Sequence, residues 1–301
     1  MTNAAGISTD PVAPIKLTRS FTSPRTLFSM MMTGLTFLAA GVSLIPLAAV
    51  LIYVTVNGIK RFGPDLFTKL PPPPLSEGGG FGNAIIGTFI TVGIAALLSI
   101  PFGVLASVFL SEFARDTWLA SAIDFFTNVL SGVPSIVIGV FAYSVIVLTT
   151  KGYSALAGGF ALGVLMLPTV VRTAAEAMES VSDEVRQAAV GLGATRFQTV
   201  SRVVLPAALP AITTGVMLAI SRAAGETAPI IFTALFSQFW FDVKEGLIQP
   251  VATLSVLVFN FATVPYENQK ELAWSASLIL VLLVLITSIL SRTIVGNRHS
   301  R

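Results

Sequence analysis

The sequence predicts an all-α polytopic membrane protein that crosses the bilayer six times. Of its 301 residues, 54% are hydrophobic and only 11% are charged, and the mean hydropathy is +0.84. A water-soluble domain of ordinary composition has a much larger charged fraction. The apolar residues also gather in runs, and each run can supply the roughly 20 residues that a helix needs to cross a bilayer. The chain has no cysteine, which excludes disulfides, thiolate catalysis and cysteine metal sites.

The N-terminal part of the chain divides into three predicted segments. Residues 1–26 are polar and lack a packable apolar pattern, so we expect a loose tail. Residues 27–57 form an apolar run much longer than the core of a signal peptide, so we expect a retained first transmembrane helix. Residues 58–82 contain four consecutive prolines followed by three consecutive glycines, which predicts an exposed linker that is first stiff and then flexible.

Residues 83–292 are predicted to hold five further spans, and residues 293–301 form a short tail. Six spans place both termini on the same side of the membrane. The segments predicted on that side carry most of the Lys and Arg residues, so the positive-inside rule predicts that both termini are cytoplasmic. The five apolar runs cover residues 83–110, 121–148, 155–171, 210–236 and 273–290.

Residues 182–206, here called the 182–206 loop, form a polar island between two apolar spans. Ser182 is a favourable N-cap residue for a first short helix. Asp183 and Glu184 follow in the first turn, where free N–H groups and the helix dipole favour carboxylates. Gly191 and Gly193 predict the end of this helix.

A second short helix is predicted to begin after Thr195. Thr195 and Gln198 have the spacing of a capping box, in which each side chain accepts a hydrogen bond from the other residue's backbone N–H. Pro206 and Pro210 should restrict the helix at its far end, because proline lacks a backbone N–H. We therefore expect a compact helix–turn–helix on the cytoplasmic side.

Two charged residues lie near the middle of the predicted fifth span. Arg222 and Glu226 are four residues apart and share a helical face, where an unpaired charge costs at least about 2.5 kcal/mol. One interpretation is an internal ion pair that locks two helices together. The other is an anion pathway, in which Arg222 offers a fork of donors to an oxyanion and Glu226 holds the guanidinium or releases it. On the second interpretation, substitution of Arg222 by Gln abolishes transport without abolishing insertion or assembly.

The third predicted span contains a proline that can break it. Pro134 removes a donor and disfavours helix at the preceding residue. A broken span would point the free N–H groups of a half-helix, with the hydroxyls of Ser131 and Ser135, at a phosphate-like anion. A plain proline kink is the alternative, and the same interpretation suffices for Pro101 and Pro168 in the neighbouring spans.

Residues 237–274 form a longer outer loop between the fifth and sixth spans. The loop opens with Phe239, Trp240 and Phe241, which suit the membrane interface. Residues 250–262 are apolar but too short to cross the bilayer. Interfacial packing is the simpler interpretation, and a re-entrant segment that closes the outer mouth or receives a partner is the alternative.

The 182–206 loop resembles the EAA motif of binding-protein-dependent ABC importers. The residues that match the motif are Gln187, Ala188, Ala189, Gly193, Val203, Leu205 and Pro206. The resemblance implies a type I ABC importer permease fold, in which this loop forms a coupling helix that docks on an ATPase subunit and turns ATP-driven closure into rotation of the membrane helices. Arg196 belongs to the same docking segment. The family's leading glutamate is Gln187 here, and Glu184, one turn earlier on the same face, is expected to take over its charged contact.

Three further runs are similar to the permeases of phosphate importers, in particular to the PstA type. They are GVPSIVIG at 132–139, GATRFQT at 193–199 and SRAAGETAPIIFTAL at 221–235. The resemblance implies that Arg222 and Glu226 belong to the phosphate pathway, to which we add Thr227, Ser131 and Ser135. It also implies a bacterial inner-membrane location and three partners. These are a second, PstC-like permease, a dimer of a PstB-like ATPase and an extracytoplasmic, PstS-like phosphate-binding protein.

The sequence also lacks the signature of an ATPase. It contains no GxxxxGK[ST] phosphate-binding loop, so we expect a non-hydrolytic permease with no cofactor of its own, while the partner ATPase uses ATP and Mg. The single histidine, His299, lies in the tail and is not expected to bind a metal.

Three rival functions are weighed against a phosphate importer. A permease for molybdate, sulfate or a phosphonate would share the loop and the fold. A secondary transporter would need no ATPase and often has internal repeats. A membrane enzyme would need clustered catalytic side chains. The sequence has neither a convincing repeat nor such a cluster.

Overall fold

The computed structural model describes residues 24–114 and 117–296, most of which are helical. The tail predicted at residues 1–26 therefore lies mostly outside the described residues, as does the end of the tail at 293–301. Residues up to Tyr53 and residues from Val54 onward form two compact units, and each is described by itself. The α-helices are α1 (Pro24–Ile59), α2 (Asp65–Thr68), α3 (Gly82–Val108), α4 (Trp118–Gly132), α5 (Ser135–Ala142), α6 (Leu148–Thr150), α7 (Ala155–Glu179), α8 (Asp183–Gly191), α9 (Arg196–Thr199), α10 (Leu205–Gly225), α11 (Ala228–Thr233), α12 (Leu254–Ala262) and α13 (Glu267–Gly296).

The described helices account for six membrane spans. Five stretches are long and apolar enough to cross a bilayer, and a sixth span is obtained when α4 and the helix beginning with α5, which meet at a bend of 104°, are counted as one. The prediction of an all-α protein with six spans is confirmed for the described part of the chain. The five unbroken spans are Pro24–Ile59, Gly82–Phe113, Ala155–Glu179, Arg196–Gly225 and Glu267–Ile289.

The first span, α1, is apolar around its whole circumference. Its large side chains are exposed, for example Phe37 at 76% and Ile45 at 64%. An apolar surface without a polar face is typical of a helix that lipid surrounds. Pro46 lies inside α1 without ending it.

The core of the second unit is formed by α3, α7 and α10, with α7 at the centre. Glycines let these helices approach closely. A Cβ on Gly103 of α3 would lie 2.7 Å from the Val170 side chain of α7, and one on Gly215 of α10 would lie 2.3 Å from Thr173. Close approach at small residues is the usual way in which membrane helices pack.

The prediction of an exposed linker at residues 58–82 is wrong for its inner part. Leu66 and Phe81 are 2% and 0% exposed, and the Phe81 N–H donates to the Leu66 carbonyl at 2.9 Å. Gln269 Nε2 of α13 donates to the Pro72 carbonyl at 3.0 Å. These hydrogen bonds satisfy backbone groups that a rod-like or flexible linker would leave to water. The segment is therefore folded into the second unit.

The predicted limits of the fifth span are also wrong. The helix begins at Arg196 and continues through α9, the π-helical segment Val200–Val204 and α10 to Gly225. Pro206 lies in the first turn of α10, where a missing N–H is tolerated. Pro210 lies inside the helix and does not end it. The 182–206 loop consequently contributes one short helix and the beginning of a transmembrane helix, instead of two short helices.

The apolar segment of the outer loop forms α12, which packs in the protein interior. Leu254 and Leu257 are both 0% exposed. The Leu254 N–H donates to Thr88 Oγ1 of α3 at 2.9 Å. These contacts give α12 a packing role, as the simpler interpretation expects. The helix packs against other helices of the protein, however, and not at the membrane interface.

Candidate functional site

The third span is broken in the middle of the GVPSIVIG run. Val133 has an extended backbone with φ −71° and ψ 130°, as sterics favour for a residue before proline. Pro134 follows, and α5 begins at Ser135. An extended residue ends a helix, so the geometry supports the half-helix interpretation over a plain kink. At Pro101 and Pro168, by contrast, the chain stays helical.

The two serines beside this break lie on different helices. Ser131 is exposed at the end of α4, and its hydroxyl donates to the Asn128 carbonyl at 2.7 Å. It borders a groove of about 260 Å³ between α4 and α7, whose lining includes Arg172 but not Arg222. Ser135 is half-buried at the start of α5. This groove therefore does not bring Ser131 to Arg222.

A second break lies at the end of the fifth span. α10 ends at Gly225, and Glu226 has an extended backbone with φ −72° and ψ 132°. Arg222 thus lies in the last turn of α10, where the helix dipole favours a cation, and not in the middle of a continuous helix as predicted. Arg222 Nε lies 3.6 Å from Glu226 Oε1, and the side chains are 61% and 18% exposed. The pair is local to one helix end, so it does not lock two helices together.

The two breaks are packed against each other through α5 and α11. A Cβ on Gly139 of α5 would lie 2.7 Å from Pro229 Cα of α11. The Ser255 hydroxyl of α12 donates to the Glu226 carbonyl at 2.8 Å, which satisfies a carbonyl at the break. Thr227 is half-buried between Glu226 and α11. Interrupted membrane helices with cationic and hydroxyl side chains are a recurrent setting for anion binding.

The 182–206 loop has the local structure that its capping residues predict, with one exception. The capping box is confirmed, because Thr195 Oγ1 accepts from the Gln198 N–H at 3.3 Å and Gln198 Oε1 accepts from the Thr195 N–H at 2.9 Å. Gly193 has φ +86°, a left-handed conformation that favours glycine. Ser182 occupies the N-cap position of α8, but in the described part of the chain its hydroxyl makes no capping bond.

The EAA-like triplet is divided between two faces of α8. Gln187 and Ala188 are exposed, and Glu184 is exposed one turn earlier. Ala189 is only 8% exposed, so it packs against the protein. The exposed side of α8 is thus available to a partner.

Large apolar side chains at the loop surface have no counterpart in the sequence predictions. Leu192 is 90% exposed, Phe197 71% and Val190 58%. Large apolar side chains that are exposed within one short polar loop are typical of a protein interface. Leu205, by contrast, is half-buried at the start of α10.

Arg186 of α8 is held by Glu112, and no local sequence pattern predicts this pairing because the two residues are 74 positions apart. Arg186 Nη2 donates to Glu112 Oε1 at 2.8 Å, and the side chains are 13% and 8% exposed. The hydrogen bond with Glu112 raises the pKa of Arg186 above its ordinary value, although burial opposes the rise. Arg186 therefore stays protonated throughout the physiological pH range.

Comparisons with known proteins agree with this architecture. Residues 99–297 match the family model described as binding-protein-dependent transport system inner membrane component. The chain is 38% identical to the phosphate transport system permease protein PstA of Yersinia pestis, over 83% of each chain. It is 37% identical to the protein of the same name from Haemophilus influenzae, over 87% of this chain and 92% of that one. A chain of a bacterial alginate ABC transporter, solved with an alginate-bound periplasmic protein, superposes with a TM-score of 0.58 at 14% identity, over 88% of this chain and 92% of that one.

Proposed function

The chain belongs to the family of binding-protein-dependent transport system inner membrane components, and on this premise we propose that it is the PstA-type permease subunit of an ATP-driven importer of inorganic phosphate. The proposal draws on the relatives of that name. The structural observation that carries the substrate class is the guanidinium of Arg222, held beside Glu226 at the second helix break.

The exposure of Arg222 indicates what it faces. Its side chain is 61% exposed within a membrane span, and contact of a charge with lipid is unfavourable, by about 2.5–3.5 kcal/mol at the bilayer centre and by less toward the ends of a span. Arg222 therefore faces an aqueous path or a second permease that encloses one. Its Nε lies 3.6 Å from Glu226 Oε1, Glu226 is its one ion-pair partner in the described residues, and the guanidinium also carries two Nη groups. Two parallel N–H groups of this kind match two oxygens of a phosphate ion.

The weak contact between Glu226 and Arg222 indicates the role of Glu226. At 3.6 Å the pair is an ion pair without a tight hydrogen bond, so Glu226 orients the guanidinium and gives it up when an anion arrives. The Thr227 hydroxyl, next in the chain, and Ser135, at the start of the half-helix α5, supply neutral donors for the remaining oxygens.

The 182–206 loop is the proposed docking surface for the ATPase. Glu184 and Gln187 supply polar groups on the exposed side of α8, and Leu192 and Phe197 supply apolar groups that a partner would bury. The ATPase dimer holds ATP and Mg, and this chain contributes no catalytic group or cofactor. A second permease completes the path, an extracytoplasmic binding protein delivers phosphate, and both termini are cytoplasmic. ATP binding closes the ATPase dimer and shifts the helices between outward-open and inward-open arrangements.

A substitution of Arg222 tests the pathway. Arg222→Gln should lower phosphate uptake by at least about tenfold, because a hydrogen bond to a charged group contributes about 1.5–3 kcal/mol. Uptake of labelled phosphate into proteoliposomes that contain the whole complex measures the effect.

Arg172→Gln is the matched control. Arg172 also pairs with a glutamate four residues later, Glu176, and its side chain is similarly exposed at 64%, but it lies inside α7 and not at the helix break that holds Arg222 and Glu226. Its variant should transport phosphate as the unmodified protein does. Uptake by the Arg222→Gln variant at the level of the control would contradict the pathway.

A further inference from the structure

We infer that Glu112 and Arg186 form the mechanical link through which movement of the 182–206 loop reaches the membrane helices. Glu112 is in this view a positioning residue that acts through Arg186 and touches neither phosphate nor ATP. The inference rests on the proposed function, since it concerns how the permease is coupled to its ATPase.

The first observation is that the guanidinium of Arg186, a residue of α8, donates hydrogen bonds to four different groups. Nη2 donates to Glu112 Oε1 and to the Met178 carbonyl, both at 2.8 Å. Nη1 donates to the Val181 carbonyl and to Asp183 Oδ1. One guanidinium thereby joins α8 to the end of α7 and to the π-helical segment Phe109–Phe113, which continues α3 and contains Glu112.

The second observation is that the other half of the loop reaches the same turn of helix. Arg196, expected from the resemblance to belong to the ATPase-docking segment, donates from Nη2 to the Glu112 backbone carbonyl. Its guanidinium also lies 5.5 Å from the ring centroid of Phe113, within the range of a cation–π contact. Arg186, which precedes the turn at Gly191 and Gly193, and Arg196, which follows it, therefore both donate hydrogen bonds to Glu112.

The third observation is space for movement at this junction. A cavity of about 470 Å³ lies between the loop and the end of the α3 span, and its lining includes Glu112, Arg186 and Thr199. Within the described residues, Arg186 Nε and Thr199 Oγ1 are buried without a hydrogen-bond partner. A second π-helical segment, Val200–Val204, borders the cavity and leads into α10. π-Helical segments occur frequently at functional sites, and a switching element needs two discrete arrangements of its contacts.

The burial of the Glu112–Arg186 pair determines how a displacement of α8 is transmitted to the membrane helices. Separation of Glu112 and Arg186 would leave two charges in a largely buried site, which is strongly unfavourable. When the ATPase displaces α8, the pair therefore stays together and α3 follows α8, while Arg196 carries the displacement to α10.

The substitution Glu112→Gln tests the link in the complete complex of both permeases, the ATPase dimer and the binding protein, reconstituted in lipid. The unmodified complex must first show ATPase stimulation by the phosphate-loaded binding protein; its absence there would count against the proposed function and not against the link. In the variant, the ATPase should still co-purify and keep its basal rate. We expect phosphate-dependent stimulation and uptake to fall by about tenfold, within the usual range of coupling between sites.

Glu176→Gln is the matched control, because it removes the same charge from an exposed pair near the end of α7 and should leave coupling unchanged. Rescue separates a link from a general structural role. The chain has no native cysteine, so Glu112→Cys with Arg186→Cys can be joined by a bifunctional thiol reagent in a cysteine-free complex. Joined samples should regain stimulation, and unjoined samples should lack it. The inference is overturned if Glu112→Gln keeps normal stimulation, or if the joined protein stays uncoupled although the ATPase co-purifies.

Discussion

The contact between the two helix breaks leaves no room for a methyl group at Gly139. A Cβ there would lie 2.7 Å from Pro229 Cα and 3.2 Å from the Pro229 carbonyl oxygen. Ordinary contact begins at 3.4 Å, so Gly139→Ala must separate α5 and α11 by roughly 0.7 Å at this point. Both obstructing atoms belong to the backbone and have no rotamer to adopt. Overpacking of this kind costs about 1–3 kcal/mol.

Gly132 in the same run provides the matched control. A Cβ at Gly132 would meet no atom of the described residues within 4 Å, and Gly132, like Gly139, is helical. The intrinsic preference of helices for Ala over Gly, about 1 kcal/mol, therefore applies similarly to both variants and largely cancels when they are compared.

The assay is the free energy of unfolding in mixed micelles, obtained by titration with a denaturing detergent. Gly139→Ala should be less stable than Gly132→Ala by about 1–3 kcal/mol. It should also transport phosphate more slowly, because the wedge displaces Glu226 from Arg222. Equal stability of the two variants would refute the packing of the two breaks.

Two further predictions concern the 182–206 loop and the topology. Thr195→Ala removes a capping box and should destabilise the start of the fifth span by about 1 kcal/mol, seen as roughly fivefold faster amide exchange at the following residues. Ser182→Ala, whose hydroxyl makes no capping bond in the described part of the chain, should leave exchange unchanged, and equal effects of the two variants would contradict the assignment. For topology, single cysteines at Leu192 and Leu75, which are 90% and 88% exposed, should react differently with a membrane-impermeant thiol reagent applied to intact cells. Leu75→Cys should be labelled and Leu192→Cys protected, and the reverse pattern would place the termini outside.

Features that depend only on residues close together in the chain could be predicted from the sequence. The capping box of Thr195 and Gln198 needs only residues three positions apart. The break at Pro134 follows from the steric restriction on the residue before proline. The number of spans follows from the length of the apolar runs.

Pro206 shows where local reasoning fails. A proline ends a helix when it lies in the helix interior. Here the π-helical segment Val200–Val204 precedes it, so Pro206 falls in the first turn of a new α-helical segment, where its missing N–H is tolerated. The sequence has no simple signal for the π-helical segment.

The candidate site could be predicted from the sequence only in part, because some of its features depend on helix breaks and tertiary contacts that no local pattern signals. Arg222 and Glu226 can be found because charges in an apolar span are rare, but their position at a helix end depends on the break after Gly225. Glu112 and Arg186 meet only because α3 and α8 are brought together by the tertiary fold. The packed segment at residues 58–82 depends likewise on distant partners such as Gln269.

The central claim is tested most directly by the ATPase activity of the complex purified through this chain. The complex is reconstituted in lipid with its binding protein, and phosphate is compared with sulfate, molybdate and a phosphonate at equal concentrations. A PstA-type phosphate permease predicts that an ATPase co-purifies and that phosphate alone stimulates it. Stimulation by another of these anions in place of phosphate would contradict the substrate, and failure of any ATPase to co-purify would contradict the importer itself.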